Sequence, residues 1–260
     1  MPPQIINNLT LIFHGDTKEV LNKPYRNKSL VSYPLNRRAS IKDIIESLGV
    51  PHTEIGCLLN RTEPLPFTFI PVGREEIHVY PLSPDIPVTS ATLLRPTPLV
   101  GLHFMVDINI NKLAHLMRMA GIDTSSIPSE SYRVITQAAS DRKRILLSRN
   151  KDLLKYNQVI FGRLIRSQNP NEQFAEVVKL YALAPHFRPF SRCMLCNAVL
   201  VQVEKTDIKH RLEPLTKKHY TVFKECPSCN RLFWRGSHYE KMVKKLETFS
   251  PETIDDGLQG

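Results

Sequence analysis

LHFMVDININKLAHLMRMAG, residues 102–121, joins a short apolar segment to an amphipathic one and decides how the middle of the chain folds. Residues 102–106 predict a buried strand that ends at Asp107. Apolar side chains then recur at helical spacing until Gly121, a residue type that commonly ends helices. A strand followed at once by a helix predicts a βα unit, with Asp107 at the carboxyl end of its strand.

Strand and helix signals continue to alternate through residues 102–187. Residues 145–147 and 159–165 predict two more strands, and Asn169 and Pro170 suit the N-cap and first turn of a further helix. Strands separated by helices predict a parallel sheet covered by helices on both faces. Ligands of such sheets bind beyond the carboxyl ends of the strands.

Two aspartates follow predicted strands of this region. Asp107 ends the first strand, and Asp152 lies shortly after the second. Carboxylates gathered at such an edge suit Mg²⁺ or Mn²⁺, which activate water and stabilise a leaving oxygen in phosphodiester cleavage. The alternative reading of these residues is that both aspartates only cap turns or helices.

Residues 1–88 predict strands arranged around one helix. Apolar residues alternate from Leu9 to Phe13, as on one face of a strand. Ser40 with an acidic residue three positions later indicates a capping box, and the apolar helix that follows stops at Gly49. This order of elements resembles a ubiquitin-like β-grasp domain and predicts an interaction with a protein partner or a folding role. Sulfur-carrier chemistry needs a free C-terminal diglycine, whereas here the chain continues.

A proline-rich stretch begins at the end of this domain and continues beyond it. Its five prolines fall close together: Pro81, Pro84, Pro87, Pro96 and Pro98. Because proline fixes φ and restricts the residue before it, the sequence predicts an extended, semi-rigid linker over residues 89–101.

Two Cys-x-x-Cys pairs in residues 189–249 predict a metal site. Their members are Cys193, Cys196, Cys226 and Cys229. Each pair can form a knuckle that offers two thiolates, and two knuckles complete the tetrahedral four-sulfur shell of structural zinc. With strand signals at residues 199–203 and 220–224, this pattern predicts a small zinc ribbon. A redox dithiol is the alternative, although it needs only one pair and usually a thioredoxin-like context.

The positive charge of the chain is unevenly distributed. The net charge is +10, and residues 100–249 carry 25 Lys and Arg against 13 Asp and Glu, whereas residues 1–99 carry 10 against 9. A basic surface attracts phosphate backbones, so RNA is the predicted partner; a solvated basic face without a ligand is the alternative. Residues 250–260 form an acidic tail.

Membrane insertion and secretion are not predicted. The longest nearly uncharged apolar run, residues 99–106, is far shorter than the roughly 20 residues that a spanning helix needs. The first residues lack both a basic region before an apolar stretch and a small-residue cleavage site, as a signal peptide would have. We therefore expect a cytoplasmic, reducing environment, in which paired cysteines serve as thiols or metal ligands.

Several motifs resemble the PIN-like ribonuclease family named for the C-terminal domain of the Mut-seven exonuclease. In chain order they are FMVDIN (104–109), KLA (112–114), LMRMAGID (116–123), RILLSRNKDLL (144–154), FSRCMLCN (190–197) and NRLFWRGSHYEKM (230–242). The run IKDIIESLGVPHTE (41–54) is similar to the ubiquitin-like module attached to one such family. The resemblance implies three parts in order: a β-grasp domain, a PIN-like α/β/α parallel-sheet domain and a zinc ribbon.

The resemblance also implies a metal-dependent ribonuclease. Asp107 matches the first metal ligand of the family. Where the family reads Thr-Arg-Asp, this chain has Ser148-Arg149-Asn150, which removes one carboxylate. Asp152 supplies an acid two residues later, and Glu130 is the acid available in the preceding acidic segment. The implied catalytic set is therefore Asp107 and Asp152 as ligands of Mg²⁺ or Mn²⁺, with Asn150 and Glu130 assisting.

Basic and aromatic residues supply the predicted contacts with RNA. They are Lys112, Arg118, Arg149, Arg231, Trp234, Arg235, His238 and Tyr239. Such residues can stack bases and meet phosphates. The alternatives are solvated charges for the basic residues, packing of Phe233 or Trp234 in the ribbon core, and a surface or capping role for His238.

The sequence therefore leaves two alternative functions of different classes. The first is a cytoplasmic, metal-dependent ribonuclease whose zinc ribbon helps to hold RNA. The second is a non-catalytic RNA-binding or adaptor protein with a degenerate PIN-like site, because Asn150 replaces a carboxylate.

Overall fold

The computed structural model describes residues 8–249. The predicted acidic tail, residues 250–260, lies outside the described residues. No helix within residues 8–249 is long and apolar enough to span a bilayer.

The elements of the N-terminal region are strands around short helices. They are β1 (Asn8–Phe13), α1 (Thr17–Val20), β2 (Leu30–Pro34), α2 (Ile41–Ser47), β3 (Ile55–Asn60), β4 (Glu63–Pro64) and β5 (Glu76–Pro81).

The rest of the chain alternates strands and helices and then forms the cysteine-containing region. Its elements are β6 (Phe104–Val106), α3 (Asn111–Met119), β7 (Thr124–Ser126), α4 (Tyr132–Asp141), β8 (Ile145–Ser148), β9 (Gly162–Leu164), α5 (Pro170–Leu180), β10 (Val201–Val203), α6 (Lys205–Ile208), α7 (Pro214–His219), β11 (Phe223–Glu225), β12 (Leu232–Phe233) and α8 (Tyr239–Glu247).

The chain divides into two compact units that each combine distant segments. Within residues 8–249, the first contains residues 8–102 and 129–165, and the second contains residues 103–128 and 166–249. The segment predicted as the PIN-like domain, residues 102–187, therefore contributes to both units. The domain boundaries at residues 88, 102 and 189 stay predictions.

The first unit contains the predicted β-grasp sheet, with strand order β2-β1-β5-β3-β4. Strand β1 pairs antiparallel with β2 and parallel with β5, and β3 pairs antiparallel with β5 and β4. Helix α2 begins as its capping box predicts, because the Ser40 hydroxyl accepts the Asp43 N–H at 3.1 Å. Gly49 follows in the left-handed region (φ 106°). The buried side chains of Ile41, Ile44 and Ile45 lie on one face of α2.

The first unit also holds strands β8 and β9, which pair in parallel. Polar contacts join them to the β-grasp domain. His52 Nε2 lies 2.7 Å from the Val159 carbonyl, and Arg163 forms an ion pair with Glu54 at 3.0 Å. The β-grasp domain is thus part of one packed unit with these two strands.

The proline-rich stretch contains a buried anchor. Arg95 is 4% exposed, and its guanidinium donates to the carbonyls of Ile55, His52 and Thr53. Leu94 and Leu99 are also buried. Within the first unit, this segment is held against the protein by side-chain contacts.

The second unit combines a βαβ segment with the cysteine-containing region. Strands β6 and β7 pair in parallel, and α3 connects them with the buried side chains of Leu113, Leu116 and Met117. Helix α5 begins at Pro170, and the Asn169 side chain caps it by accepting the Asn171 N–H at 2.9 Å. The start of α5 at Pro170 and the parallel pairing of β6 and β7 agree with the predicted α/β fold.

The cysteine-containing region forms a small antiparallel sheet in the order β10-β11-β12. Helices α6 and α7 lie in the sequence between the two cysteine pairs, and the buried side chains of Ile208, Leu212 and Phe223 form a small core there. This sheet and the two cysteine turns have the layout of a zinc ribbon.

Candidate metal centre and nuclease residues

The two cysteine pairs form turns with the same hydrogen-bond pattern. In the first, Cys193 N–H donates to Ala198 O at 2.8 Å, and Asn197 N–H donates to Cys193 O at 2.9 Å. In the second, Cys226 N–H donates to Arg231 O at 2.9 Å, and Asn230 N–H donates to Cys226 O at 2.8 Å. An asparagine follows each pair in the left-handed region, with φ values of 72° and 58°. Asparagine adopts this conformation more readily than most residues, which favours both knuckles.

The four thiols converge on one point. Their sulfur atoms all lie within 4.8 Å of one another, with Cys193 Sγ 3.7 Å from Cys229 Sγ and Cys196 Sγ 3.3 Å from Cys226 Sγ. A tetrahedral zinc with Zn–S bonds of about 2.3 Å requires sulfur separations of about 3.8 Å. The donors therefore fit a closed four-sulfur metal site.

Burial and hydrogen bonding affect the thiols of the first knuckle differently. Burial raises the pKa of the Cys193 thiol. Burial also acts to raise the pKa of Cys196, but hydrogen bonds from the Ala198 backbone and the neighbouring cysteines outweigh it and lower the pKa to about 7. A thiolate at Cys196 is the form that binds metal.

Arg118 supports the backbone of the first knuckle. Its guanidinium is buried, and Nη1 donates to the carbonyls of Leu195 at 2.7 Å and Met194 at 3.3 Å. Nε donates to Thr124 O at 2.7 Å, and Nη2 donates to Ser126 Oγ at 3.0 Å. Burial lowers the pKa of Arg118. One side chain of α3 therefore links the knuckle to β7.

Asn197 adds a second link between the knuckle and β7. Its side-chain Nδ2 donates to Asp123 Oδ1 at 2.7 Å, and its side-chain Oδ1 accepts the Thr124 N–H at 3.0 Å. Arg192 Nη2 lies 3.6 Å from Asp123 Oδ2. The metal centre is thus fastened to the βαβ segment within the second unit.

Asp107, the first predicted catalytic acid, lies directly after β6 in the second unit. It is 3% exposed, and its Oδ1 accepts the Asn109 N–H at 2.8 Å. Asp107 thereby caps the short 3₁₀ turn Ile108–Ile110. The capping role weighed as an alternative is present, and it fixes the carboxylate at the carboxyl end of the strand.

Asn150 lies after β8 in the first unit, at the position where the motif resemblance implies an aspartate. Its Oδ1 accepts the Asp152 N–H at 2.9 Å, and its backbone N–H donates to Ser148 Oγ at 2.9 Å. Its amide nitrogen also contacts the Tyr132 hydroxyl. Asn150 therefore has the turn-forming role that an aspartate has in an Asx turn.

The other two predicted acids of the first unit are accessible. The Asp152 side chain is 79% exposed and lies 3.5 Å from Lys155 Nζ. Glu130 is exposed in the irregular segment before α4. Both carboxylates are open to solvent, and their joint role with Asp107 stays a prediction.

The predicted RNA-contacting residues fall into exposed and packed groups. The exposed ones are Lys112, Arg149, Arg231, Trp234, Arg235 and His238. Arg118 is buried against the knuckle, and Tyr239 packs against Phe190, with ring centroids 4.7 Å apart. His238 precedes α8 without a side-chain capping bond.

Phe233 and Trp234 separate into a core residue and a surface residue. Phe233 is half-buried and packs against Cys193, Leu200 and Cys226. The Trp234 side chain, by contrast, is 40% exposed. One of the two aromatic residues thus packs the ribbon core, and the other remains accessible.

Two family models match the chain. The Mut7-C RNAse domain matches residues 102–246, which is more than half of the 260 residues, and the Mut7-C ubiquitin domain matches residues 6–86. The chain belongs to the Mut7-C family. No curated protein and no solved structure matches it. The resemblance of the motifs to this family is confirmed, together with the N-terminal ubiquitin-like domain.

Tyr132 and Asn197 of this Mut7-C chain gain roles that sequence reasoning did not assign. Tyr132 contacts the Asn150 amide across a separation of 18 residues, and Asn197 joins the first knuckle to β7. The repeated Cys-x-x-Cys-Asn pattern was a usable signal for Asn197, because an asparagine follows both pairs. Nothing in the local sequence pattern around Tyr132 points to Asn150.

Proposed function

We propose that this Mut7-C protein is a metal-dependent ribonuclease that cleaves RNA phosphodiester bonds. The observation that carries the proposal is the match of the RNAse domain over residues 102–246, within which Asp107 is fixed at the carboxyl end of β6. Ligands of parallel α/β sheets bind at that end of the strands.

In this proposal Asp107 and Asp152 hold Mg²⁺ or Mn²⁺, and Asn150 and Glu130 assist. Carboxylate and amide oxygens are the donors that these hard cations prefer. The cation, when bound, would activate water and stabilise the leaving oxygen. The protein contributes the position of the donors: Asp107 through its capping bond, and Asn150 through the turn that includes Asp152.

We propose zinc as the metal of the four-cysteine site. The four-sulfur donor set and the separations of 3.3 Å and 3.7 Å support it. Elemental analysis of carefully prepared protein should give one zinc per chain, and less than about half an equivalent would contradict this assignment.

The central test is cleavage of labelled single-stranded RNA with Mn²⁺, comparing the parent chain with Asp107→Ala. Activity in the parent and loss of cleavage in the variant are the expected results. Asp85→Ala, which removes an exposed carboxylate in the first unit, is the matched control and should cleave as the parent does. Zinc content and circular dichroism establish that both variants are folded. Cleavage that persists in Asp107→Ala would overturn the assignment.

A non-catalytic RNA-binding protein is the second candidate, and one observation favours it. Asn150 provides a neutral amide where the family has a carboxylate, which reduces the negative charge available to a cation. This candidate predicts RNA binding that weakens steeply with salt and no cleavage with either Mg²⁺ or Mn²⁺. Binding without turnover across a range of metal concentrations would favour it over the nuclease.

We propose a protein partner for the β-grasp domain, supported by its ubiquitin-like family match. We propose a cytoplasmic location, since a four-thiolate metal site requires reduced cysteines. Imaging of tagged protein and affinity capture from the same cells test both statements.

A further inference from the structure

Two adjoining cavities lie beside the exposed tryptophan of the zinc ribbon. Residues that line both are Phe233, Trp234, Tyr239 and Met242.

Trp234 lies at the boundary of the two cavities and is held in place from within the ribbon. Its ring centroid is 6.3 Å from that of Phe223 and 6.5 Å from that of Tyr220. Phe223 is fully buried, so one side of the indole packs on the small core. The remaining 40% exposure of Trp234 leaves indole surface available for a ligand.

The first cavity combines aromatic walls with cationic side chains. Phe190 and Tyr239 form one aromatic pair, and the Arg235 guanidinium lies 5.2 Å from the Tyr239 ring centroid. Lys224 also lines the cavity, as does Arg192, whose guanidinium is paired with Asp123. No aspartate or glutamate is among the described residues that line either cavity.

We propose that this cavity binds an unpaired nucleobase of single-stranded RNA, stacked on Trp234, while the neighbouring cations meet its phosphates. The inference rests on the proposed function, because it assigns the substrate class of the same protein as single-stranded RNA. It goes beyond that function by placing base recognition on the zinc ribbon, apart from the acids that carry the cleavage proposal.

The combination of aromatic walls and cationic side chains favours a nucleotide over an apolar peptide as the ligand of this cavity. Every base has a π-face that stacks on an aromatic side chain, and its phosphate lies within reach of Lys and Arg in such sites. An apolar peptide would use the aromatic walls but gain nothing from the charges of Lys224 and Arg235. Double-stranded RNA keeps its bases paired and stacked, so it should not present a base to Trp234.

The chain provides its own probe, because Trp234 is the one tryptophan of the 260 residues. The full-length zinc-loaded protein is titrated with a short single-stranded RNA without added Mg²⁺ or Mn²⁺, so that the strand stays intact. Stacking of a base on the indole should quench tryptophan fluorescence to saturation. An abasic strand of the same length and charge should bind more weakly and leave the fluorescence unchanged, and duplex RNA should also fail to quench.

Substitutions at Trp234 give the matched comparison. Trp234→Ala should weaken binding of the labelled single strand about 5- to 150-fold, which is the usual effect of replacing a base-stacking aromatic residue by alanine. Trp234→Phe, which keeps a stacking ring, should retain most of the affinity. Both variants should keep one zinc per chain, which shows that the ribbon is folded.

The outcomes separate this inference from the cleavage proposal. Binding of the labelled strand without quenching, or equal quenching by the abasic strand, would overturn base stacking at Trp234 while leaving the ribonuclease proposal intact. Quenching by RNA in a protein that fails the Mn²⁺ cleavage assay would support this inference and count against the nuclease.

Discussion

Glu54 and Arg163 form a buried ion pair that joins the β-grasp domain to strand β9. Glu54 Oε2 lies 3.0 Å from Arg163 Nη1, and the side chains are 1% and 4% exposed. Glu54 Oε1 also accepts the Leu164 N–H at 2.7 Å, and Arg163 Nη2 lies 2.8 Å from Asp16 Oδ2. The Glu54 carboxylate of the ubiquitin-like domain therefore binds both the Arg163 side chain and the Leu164 backbone of β9. Strand β9 lies within the residues that match the RNAse domain.

Removing the Glu54 carboxylate should destabilise the first unit strongly. Glu54→Ala leaves Arg163 buried without one of its anions and the Leu164 N–H without its acceptor. Breaking a buried ion pair by removing one partner costs about 3–5 kcal/mol. Hydrogen exchange of the β9 amides should be faster in this variant. Glu63→Ala, at an exposed glutamate of β4 in the β-grasp sheet, should leave the exchange rates of β9 unchanged.

Replacing Arg118 should weaken metal binding at the four-cysteine site, although Arg118 is not a metal ligand. Arg118→Met removes the donors to the Met194 and Leu195 carbonyls, which fix the first knuckle. Loss of a residue that supports metal ligands typically costs 10–100-fold in metal affinity. Competition with a chelator measures zinc affinity directly. Arg231→Met, at an exposed arginine, is the control, and equal affinities in the two variants would show that Arg118 does not support the site.

The elements that could be predicted from the sequence depend on contacts close along the chain. Ser40 and Asp43 are three residues apart, and the Asn169 side chain caps the backbone two residues later. Each Cys-x-x-Cys turn likewise closes over a few residues. Such patterns are visible because the interacting groups lie within one turn of each other in the sequence.

The roles that could not be predicted depend on distant partners. Arg118 and Arg163 look like surface charges in the sequence, but carbonyls 76 and 77 residues away and a carboxylate 109 residues away allow them to be buried. Arg95 is buried by the same kind of contact inside a stretch that proline content marks as a linker. A basic residue has no local pattern that distinguishes these cases.

Two stacked histidines should make the β-grasp domain sensitive to acid. His14 Nε2 lies 2.9 Å from His78 Nδ1, and burial and the neighbouring His78 lower the pKa of His14 below its ordinary 6.5. The unfolded chain thus binds a proton at His14 more readily than the folded chain does. Stability should therefore be lost as the pH falls through about 6.5 towards the lower folded pKa.

His14→Phe tests this dependence, because it keeps a ring stacked on Tyr80 and removes the titrating group. Hydrogen exchange of the β1 and β5 amides measures local stability as the pH is lowered. As the pH falls below about 6.5, the variant should lose less stability than the parent. Glu76 Oε1, which lies 3.3 Å from His78 Nε2, stays present in both proteins. Identical pH profiles would exclude His14 as the cause.

Asn150→Asp should strengthen binding of the proposed catalytic cation. The change introduces the carboxylate that the motif resemblance implies at this position. It also suits the local hydrogen bonds, because a carboxylate can accept both the Asp152 N–H and a proton donated by the Tyr132 hydroxyl. The Mn²⁺ concentration for half-maximal cleavage should fall about tenfold, since charge count tunes the affinity of such sites. Cleavage should rise, or appear where the parent shows none.

Controls separate a metal effect from a general charge effect. Asn157→Asp adds the same charge at another exposed asparagine of the first unit and should leave the Mn²⁺ dependence unchanged. Asp107→Ala should abolish the gain of Asn150→Asp, because both carboxylates serve one cation in the proposal. In chelator, the added charge near Asp152 should make the variant less stable than the parent, and Mn²⁺ should restore stability by binding the folded state. If Asn150→Asp and Asp107→Ala both leave metal affinity and cleavage unchanged, the RNA-binding candidate replaces the nuclease.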